Sequence, residues 1–125
     1  MSALRVIVAD DDRDTVTTLT ELLREEGHDV RPVYRGSDVL REVLDFNPDA
    51  VLLDIGLPEV PGHVLARKIR ECCGHKRPLL IGISGRYKLP ADKAYAEANG
   101  INHYLIKPCD PSSLIALLAP LQASS

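Results

Sequence analysis

The stretch Val6-Ile7-Val8-Ala9-Asp10-Asp11 is a short apolar run that ends on two acidic residues. Short apolar runs separated by helical patterns predict the buried strands of a parallel sheet. Three further runs each end on one polar residue: Ala50-Val51-Leu52-Leu53 before Asp54, Leu79-Leu80-Ile81-Gly82-Ile83 before Ser84, and Tyr104-Leu105-Ile106 before Lys107. The C-terminal ends of parallel strands lie along one edge of the sheet, so these polar groups are expected to meet there. Together they can bind a hard metal ion and a phosphoryl group.

Apolar residues recur at helical spacing between the predicted strands, and a second strand is predicted over 29–34. The helical stripes are Val16, Leu19, Leu22 and Leu23; Val39, Leu40, Val43 and Leu44; Val64, Leu65, Ile69 and Cys72; Ala94, Tyr95 and Ala98; and Leu114, Leu117, Leu118 and Leu121. A strand followed by a helix, five times, predicts an α/β fold with right-handed connections. We expect a flavodoxin-like, doubly wound sheet of five parallel strands in the order 2-1-3-4-5 with five helices.

The composition limits the organisation and the partners of the chain. Its 125 residues predict a single domain over 1–122, followed by a tail or the start of a linker over 123–125. The formal net charge of −3, without a basic run, argues against direct nucleic-acid binding. No apolar stretch approaches the ~20 residues that span a bilayer. The N-terminus leaves no room for a signal peptide, and three cysteines without metal-ligand spacing predict reduced thiols in a cytoplasmic protein.

The acidic residues Asp10, Asp11 and Asp54 are expected within a few ångströms of one another. Such carboxylates repel unless a cation neutralises them, and an all-oxygen ligand set with few fixed groups favours Mg²⁺. The alternative is that acidic residues after the first strand cap the next helix, a role that suits Asp12 and Asp14. Helix capping does not explain Asp54, which ends another strand and precedes a Gly-Leu-Pro loop.

Ser84 and Lys107 end the fourth and fifth predicted strands. The Ser84 hydroxyl could donate to a phosphoryl oxygen, although Ser-Gly after a strand is commonly a turn. A lysine at the end of an apolar strand is costly unless anions pair with it, and the carboxylates would supply them. The Lys107–Pro108 bond is a candidate cis peptide. The last helix is expected to begin with Asp110 as cap and Pro111 in its first turn, and Pro120 is expected to limit its length.

These segments, in this order, resemble the receiver domain of two-component response regulators (the CheY-like family), and the resemblance covers essentially the whole chain. The matching segments are Val8-Ala9-Asp10-Asp11-Asp12, Leu53-Asp54-Ile55-Gly56-Leu57-Pro58 with Gly62, Ile83-Ser84-Gly85, and Tyr104-Leu105-Ile106-Lys107-Pro108. No single segment is decisive, but four of them on successive strands are highly specific.

The resemblance implies a role for each site residue. Asp54 would accept a phosphoryl group, and Asp10, Asp11, Asp54 and the backbone carbonyl of Gly56 would bind Mg²⁺. Lys107 would hold the phosphoryl oxygens, and Ser84 and the aromatic Tyr104 would carry the switch. The donor would be the phosphohistidine of a histidine kinase or a histidine phosphotransfer protein. The chain's own histidines, His28, His63, His75 and His103, are expected at the surface or in loops.

Three residues depart from the family pattern. Gly56 has no side chain, and Arg86 brings a positive charge, at two positions that often control the access of water to the acyl phosphate. Both leave the lifetime of the phosphorylated form open. Cys109 stands where the family commonly has an apolar aromatic residue, a change that concerns packing.

Two other functions compete with a phosphorylation-controlled switch. A phosphatase resembling the haloacid dehalogenase family would need an acidic residue two positions after Asp54, where this chain has Gly56. A docking module that no longer takes phosphate would not need the complete set of site residues. The switch would modify itself and turn over no external metabolite, so it is not expected to be an enzyme. The output of the switch is open: it could act on a downstream protein, with Ile115 as a candidate contact, or on an attached output domain. The receiver could stand alone or be part of a longer chain such as a hybrid kinase.

Overall fold

The computed structural model describes residues 3–57, 59–74, 77–85, 98 and 100–123. The strands are β1 (Arg5–Ala9), β2 (Asp29–Val33), β3 (Ala50–Asp54), β4 (Leu79–Ser84) and β5 (His103–Ile106). They form one parallel sheet in the order β2-β1-β3-β4-β5, which confirms the predicted order. Four helices lie within the described residues: α1 (Arg13–Glu25), α2 (Gly36–Phe46), α3 (Gly62–Cys73) and α4 (Pro111–Ala123). Of the further helix predicted over 91–99, only Ala98 lies within the described residues, where it is helical.

Two apolar cores cover the two faces of the sheet, because successive side chains of a strand point to opposite faces. On one face, Ile7 of β1 belongs to the core that includes α2 and α3. On the other face, Val6 and Val8 belong to the core that includes α1 and α4. The three inner strands are therefore buried on both sides, which explains their uninterrupted apolar sequence.

The predicted helix faces are right in outline and wrong at three residues. Ala98, predicted on the inner face of the further helix, is exposed. Leu44 of α2 is 57% exposed, because the buried stripe continues from Val43 to Phe46. Cys72 of α3 is exposed, and the inner face of α3 contains Ala66 and Arg70 instead. The prediction that Pro120 limits the last helix is also wrong, since α4 runs through Pro120 to Ala123. The partner contact suggested for Ile115 stays a prediction, and its side chain is half-buried.

The helix ends follow the local sequence. Asp12 caps α1: its carboxylate accepts the Asp14 amide at 3.2 Å and the Thr15 hydroxyl at 2.6 Å. The Thr15 bond is the main cause that lowers the pKa of Asp12. Pro111 begins α4, and the Asp110 carboxylate accepts the Ser113 hydroxyl at 3.0 Å. Gly27 follows α1 with φ 91°, a backbone conformation that glycine adopts without strain.

Arg70 is a buried cation that the sequence pattern did not indicate. It is 6% exposed, and its guanidinium donates to the Gly100 carbonyl at 3.0 Å and to Asn102 Oδ1 at 2.7 Å. The same Asn102 oxygen accepts the Leu80 amide at 2.8 Å. Neutral acceptors thus satisfy the buried charge, while burial lowers the pKa of Arg70. The contacts tie α3 to the start of β5.

His28 lies in a loop, as the sequence predicts, and it is buried there. It is 7% exposed, and its Nδ1 accepts the Leu4 amide at 3.1 Å. Its own amide donates to the Leu23 carbonyl at 3.1 Å. Nδ1 accepts a hydrogen bond only when it carries no proton. The fold therefore selects neutral imidazole, and burial lowers the pKa of His28.

We expect His28 to make the fold less stable in mild acid. The pKa of His28 in the folded protein lies below the unfolded value of about 6.5. The contribution of His28 to the free energy of unfolding is therefore complete above pH 6.5, and it is lost as the pH falls from there through the folded pKa. The His28→Asn variant, whose side-chain oxygen can replace Nδ1 as acceptor, should lose less stability than wild type between pH 7.5 and 5. Urea unfolding across this range measures the difference, with His103→Asn as the control. Equal pH dependence in wild type and His28→Asn would contradict the assignment.

None of the helices among the described residues is long and apolar enough to cross a membrane. The three cysteines are unbonded; Cys72 and Cys73 are exposed, and Cys109 is half-buried. Cys109 packs against the α1–α4 core, and burial raises the pKa of its thiol. These contacts support a packing role for Cys109.

Candidate functional site

Three carboxylates meet at the C-terminal edge of the sheet, as the sequence predicts. Asp10 and Asp11 follow β1, and Asp54 is the last residue of β3. Each can supply one oxygen such that the three oxygens lie within 4.8 Å of one another. Asp10 and Asp54 are buried, with 2% and 7% exposure, while Asp11 is exposed. Two carboxylates of the cluster are thus buried, and the third is exposed to solvent.

Asp10 is the most deeply buried of the three carboxylates. Its Oδ1 accepts the Asp12 amide at 3.0 Å, which orients the group. Burial raises the pKa of Asp10, and the nearby Asp54 charge raises it further. The Lys107 ammonium and the Asp12 amide partly offset this effect on the pKa of Asp10. Keeping Asp10 ionised therefore requires positive charge nearby.

Lys107 supplies such a charge from the residue after β5. Its Nζ lies 2.5 Å from Asp10 Oδ2 and 3.8 Å from Asp54 Oδ2, with 19% of the side chain exposed. Burial alone would lower the pKa of Lys107, but the contacts with Asp10 and Asp54 outweigh it and raise the pKa. Lys107 therefore stays charged between the two buried carboxylates. The bond that follows it, Lys107–Pro108, is cis, as predicted.

Asp54 is held by its own strand and by the loop that follows. The Gly56 amide donates to Asp54 Oδ1 at 2.9 Å. The Ile55 amide donates to the Ile83 carbonyl of β4 at 2.9 Å, and the Gly62 amide donates to the Ile55 carbonyl at 3.0 Å. These bonds fix one oxygen of Asp54, while Oδ2 is the oxygen nearer to Lys107.

The structure places Ser84 beside this cluster and Tyr104 further down the sheet. Ser84 is buried at the end of β4, and its carbonyl accepts the Lys107 amide at 2.7 Å. A Cβ on Gly85 would lie 3.5 Å from Lys107 Cδ, an ordinary contact distance. Tyr104 pairs with Gly82 across β4 and β5, is half-buried, and lines an open groove of about 400 Å³ beside α4. Arg86 lies outside the described residues.

The residues at the edge fit a hard divalent cation. Three carboxylate oxygens converge at this edge. Oδ2 of Asp10 is buried, and among the described residues it forms an ion pair with Lys107 but accepts no hydrogen bond of favourable angle. Oxygen ligands with a net negative charge favour Mg²⁺ over softer metals. Lys107 already neutralises part of this charge, so a cation would have to share Asp10 with it.

Comparison with known proteins decides the family. The family model described as response regulator receiver domain matches residues 6–119. The chain belongs to the response regulator receiver family. Except for Arg5, the first residue of β1, the receiver's five-stranded sheet lies within the matched residues, as do the acidic pair and Asp54 at its edge.

The receiver is also similar to individual proteins of two-component signalling. It is 33% identical over 116 residues to the CAI-1 autoinducer sensor kinase/phosphatase CqsS of Vibrio cholerae, which covers 92% of this chain and 17% of CqsS. It is 32% identical to the transcriptional regulatory protein PrrA of Mycobacterium leprae, over 97% of this chain and 51% of PrrA. The chain therefore spans about half, or less, of the length of these relatives.

A solved structure shows the same fold. The CheY-like response regulator receiver domain protein of Methanospirillum hungatei JF-1 superimposes with a TM-score of 0.88 at 22% identity. The match covers 98% of this chain and 96% of that one. This likeness confirms the flavodoxin-like architecture that the strand pattern predicts.

One residue of the β3–α3 loop, which connects Asp54 to Gly62, was not singled out by sequence reasoning. Glu59 lies in the connection between β3 and α3, and its carboxylate accepts the Gly36 amide at the start of α2. A sequence signal existed: Arg35 precedes α2 and is a poor helix cap, so α2 needs an acceptor from elsewhere.

Proposed function

We propose that this receiver accepts one phosphoryl group on Asp54 from the phosphohistidine of a histidine kinase or a histidine phosphotransfer protein. The observation that carries the proposal is the arrangement of Asp54 beside Asp10, Asp11 and Lys107 at one edge of the sheet. A buried nucleophilic carboxylate with a fixed cation 3.8 Å away suits an incoming phosphoryl group.

The transfer is an in-line displacement at phosphorus. The Asp54 carboxylate forms the new P–O bond while the P–N bond to the donor imidazole breaks, and the imidazole retains the electron pair and takes up a proton. The Lys107 ammonium stabilises the oxygens of the transferring group. Asp10, Asp11, Asp54 and the Gly56 carbonyl would hold Mg²⁺, which when bound supplies further positive charge for those oxygens.

The product would bias an equilibrium between two conformations of the receiver. The phosphoryl group is a new acceptor beside Ser84 and Lys107, which lie on neighbouring strand ends. Movement of Ser84 toward it would free space for the Tyr104 ring, and β5 and α4 would carry the change to a partner. A Tyr104→Ala variant that keeps fully phosphorylation-dependent partner binding would contradict this route.

The proposed function implies a location and a set of binding partners for the receiver. The receiver would act in the cytoplasm and contact its phosphodonor protein and a downstream protein or attached output domain, with no direct contact to nucleic acid or membrane. It would catalyse only its own phosphorylation and dephosphorylation. The relatives include one sensor kinase/phosphatase, CqsS, and DNA-binding response regulators such as MtrA of Mycolicibacterium smegmatis. An attached domain of this receiver could therefore belong to a kinase or to a DNA-binding regulator.

The test is phosphoryl uptake from a small donor. We expect one added phosphoryl group, a gain of ~80 Da in intact mass, when the protein meets acetyl phosphate and Mg²⁺. The gain should disappear with EDTA and in Asp54→Asn, and persist in Asp38→Asn, which makes the same change at an acidic residue of α2. Absence of any gain in wild type, together with no response to beryllofluoride, would overturn the proposal and favour a phosphorylation-independent docking module.

A further inference from the structure

The loop between β3 and α3 is bonded to α2 through Glu59. Glu59 Oε1 accepts the Gly36 amide, the first amide of α2, at 3.1 Å. Helix N-termini leave their first amides without intrahelical partners and favour negative charge. The residue that precedes the helix, Arg35, forms no side-chain cap. Glu59 therefore supplies from a separate segment the acceptor that Arg35 lacks.

The same loop packs closely on α2 around this bond. Leu57 is 5% exposed and belongs to the core that includes α2 and α3. A Cβ on Gly36 would lie 3.4 Å from the Val60 amide nitrogen and 3.6 Å from Leu57 Cδ1, so the start of α2 approaches the loop backbone directly. The outer part of the loop is thus fixed by α2, and its base is fixed by the Gly62–Ile55 bond.

Between these two anchors lies Gly56, which is exposed and whose amide holds Asp54 Oδ1. Its side chain is hydrogen, so it contributes no packing of its own, and its position depends on the anchors. A displacement of the loop would move the Gly56 amide and carbonyl relative to Asp54.

We propose that Glu59 is a positioning residue of the acceptor site. Its bond to Gly36 holds the loop so that the Gly56 backbone and Asp54 are arranged for the cation before the cation binds. This inference rests on the proposed function, in which those groups bind Mg²⁺. The apparent dissociation constant of a site rises as the fraction of molecules in the competent arrangement falls.

The experiment compares wild type with Glu59→Ala, Glu59→Gln and a control, Glu71→Ala, which removes an exposed glutamate of α3. Two quantities are measured on each: amide hydrogen exchange of Gly36, and the Mg²⁺ dissociation constant by calorimetry. We expect Gly36 exchange to be about tenfold faster and Mg²⁺ binding about threefold weaker in Glu59→Ala. Glu59→Gln keeps an acceptor oxygen and should recover most of both, and Glu71→Ala should match wild type.

The outcomes separate the two proposals. Faster Gly36 exchange with unchanged Mg²⁺ affinity would show a helix cap alone and overturn the positioning role, as would unchanged exchange. Weaker Mg²⁺ binding in Glu59→Ala without recovery in Glu59→Gln would also overturn it. If wild type itself bound no Mg²⁺ and took up no phosphoryl group, the proposed function would fail, and the positioning role would fail with it.

Discussion

Replacing Lys107 with methionine is expected to slow phosphoryl uptake by about 100-fold, the loss typical of removing one preorganised charge from a transition state. Methionine keeps the length and the packing of the side chain but leaves Asp10 and Asp54 without the ammonium that lies 2.5 Å and 3.8 Å from them. The repulsion between the phosphoryl oxygens and the buried carboxylates would then oppose the reaction. The measurement is the initial rate of mass gain with acetyl phosphate at saturating Mg²⁺.

The matched control is Lys68→Met, which removes an exposed lysine of α3 and so changes the net charge of the protein by the same amount. It should react at the wild-type rate. Lys107→Arg retains the charge with a different shape and should fall between wild type and Lys107→Met. A Lys107→Met rate within threefold of wild type, in a folded protein, would contradict the role assigned to the ammonium.

Replacing Gly62 with alanine is expected to lower the free energy of unfolding by about 3 kcal/mol. A Cβ at this position would lie 2.6 Å from Ile55 Cα and 3.1 Å from the Asp54 carbonyl oxygen. Both are backbone atoms, which cannot move aside as the end of a flexible side chain can. The variant must therefore separate the start of α3 from the end of β3 and the β3–α3 loop, which would also weaken the Gly62–Ile55 hydrogen bond.

Gly56→Ala is the matched control for this prediction, because it adds the same methyl group in the loop that directly precedes α3. There the new Cβ would meet its nearest neighbour, Asp54 Oδ1, at 3.7 Å, an ordinary contact. Urea unfolding without metal should show a change within about 1 kcal/mol for Gly56→Ala. Equal destabilisation of the two variants would mean that the close approach at Gly62 does not determine the stability of the loop.

The sheet and the carboxylate cluster were predictable because they follow from periodicity. The three inner strands are buried on both faces and so read as continuous apolar runs, and parallel order then brings Asp10, Asp11 and Asp54 to one edge. The same argument predicted anions around Lys107. The structure shows two carboxylates beside its ammonium, and Asp10 lies nearer than Asp54.

The misses concern contacts that periodicity does not encode. Arg70 and His28 are buried because groups distant in sequence satisfy them: the Gly100 carbonyl and the Asn102 side chain for Arg70, and the Leu4 amide for His28. Leu44 is exposed because Phe46 completes the same helical stripe. The Glu59–Gly36 bond joins the β3–α3 loop to the first residue of α2, 23 residues away in sequence, and no local pattern in either segment specifies the other.

The most direct test of the central claim is to locate the phosphoryl group on the chain. The protein is phosphorylated with acetyl phosphate and Mg²⁺, the acyl phosphate is reduced with borohydride to give homoserine at the modified aspartate, and peptides are sequenced by mass spectrometry. We predict homoserine at residue 54 and aspartate at residues 10, 11 and 12. Homoserine at one of those three positions with Asp54 unmodified would contradict the assignment of Asp54 as the phosphoacceptor.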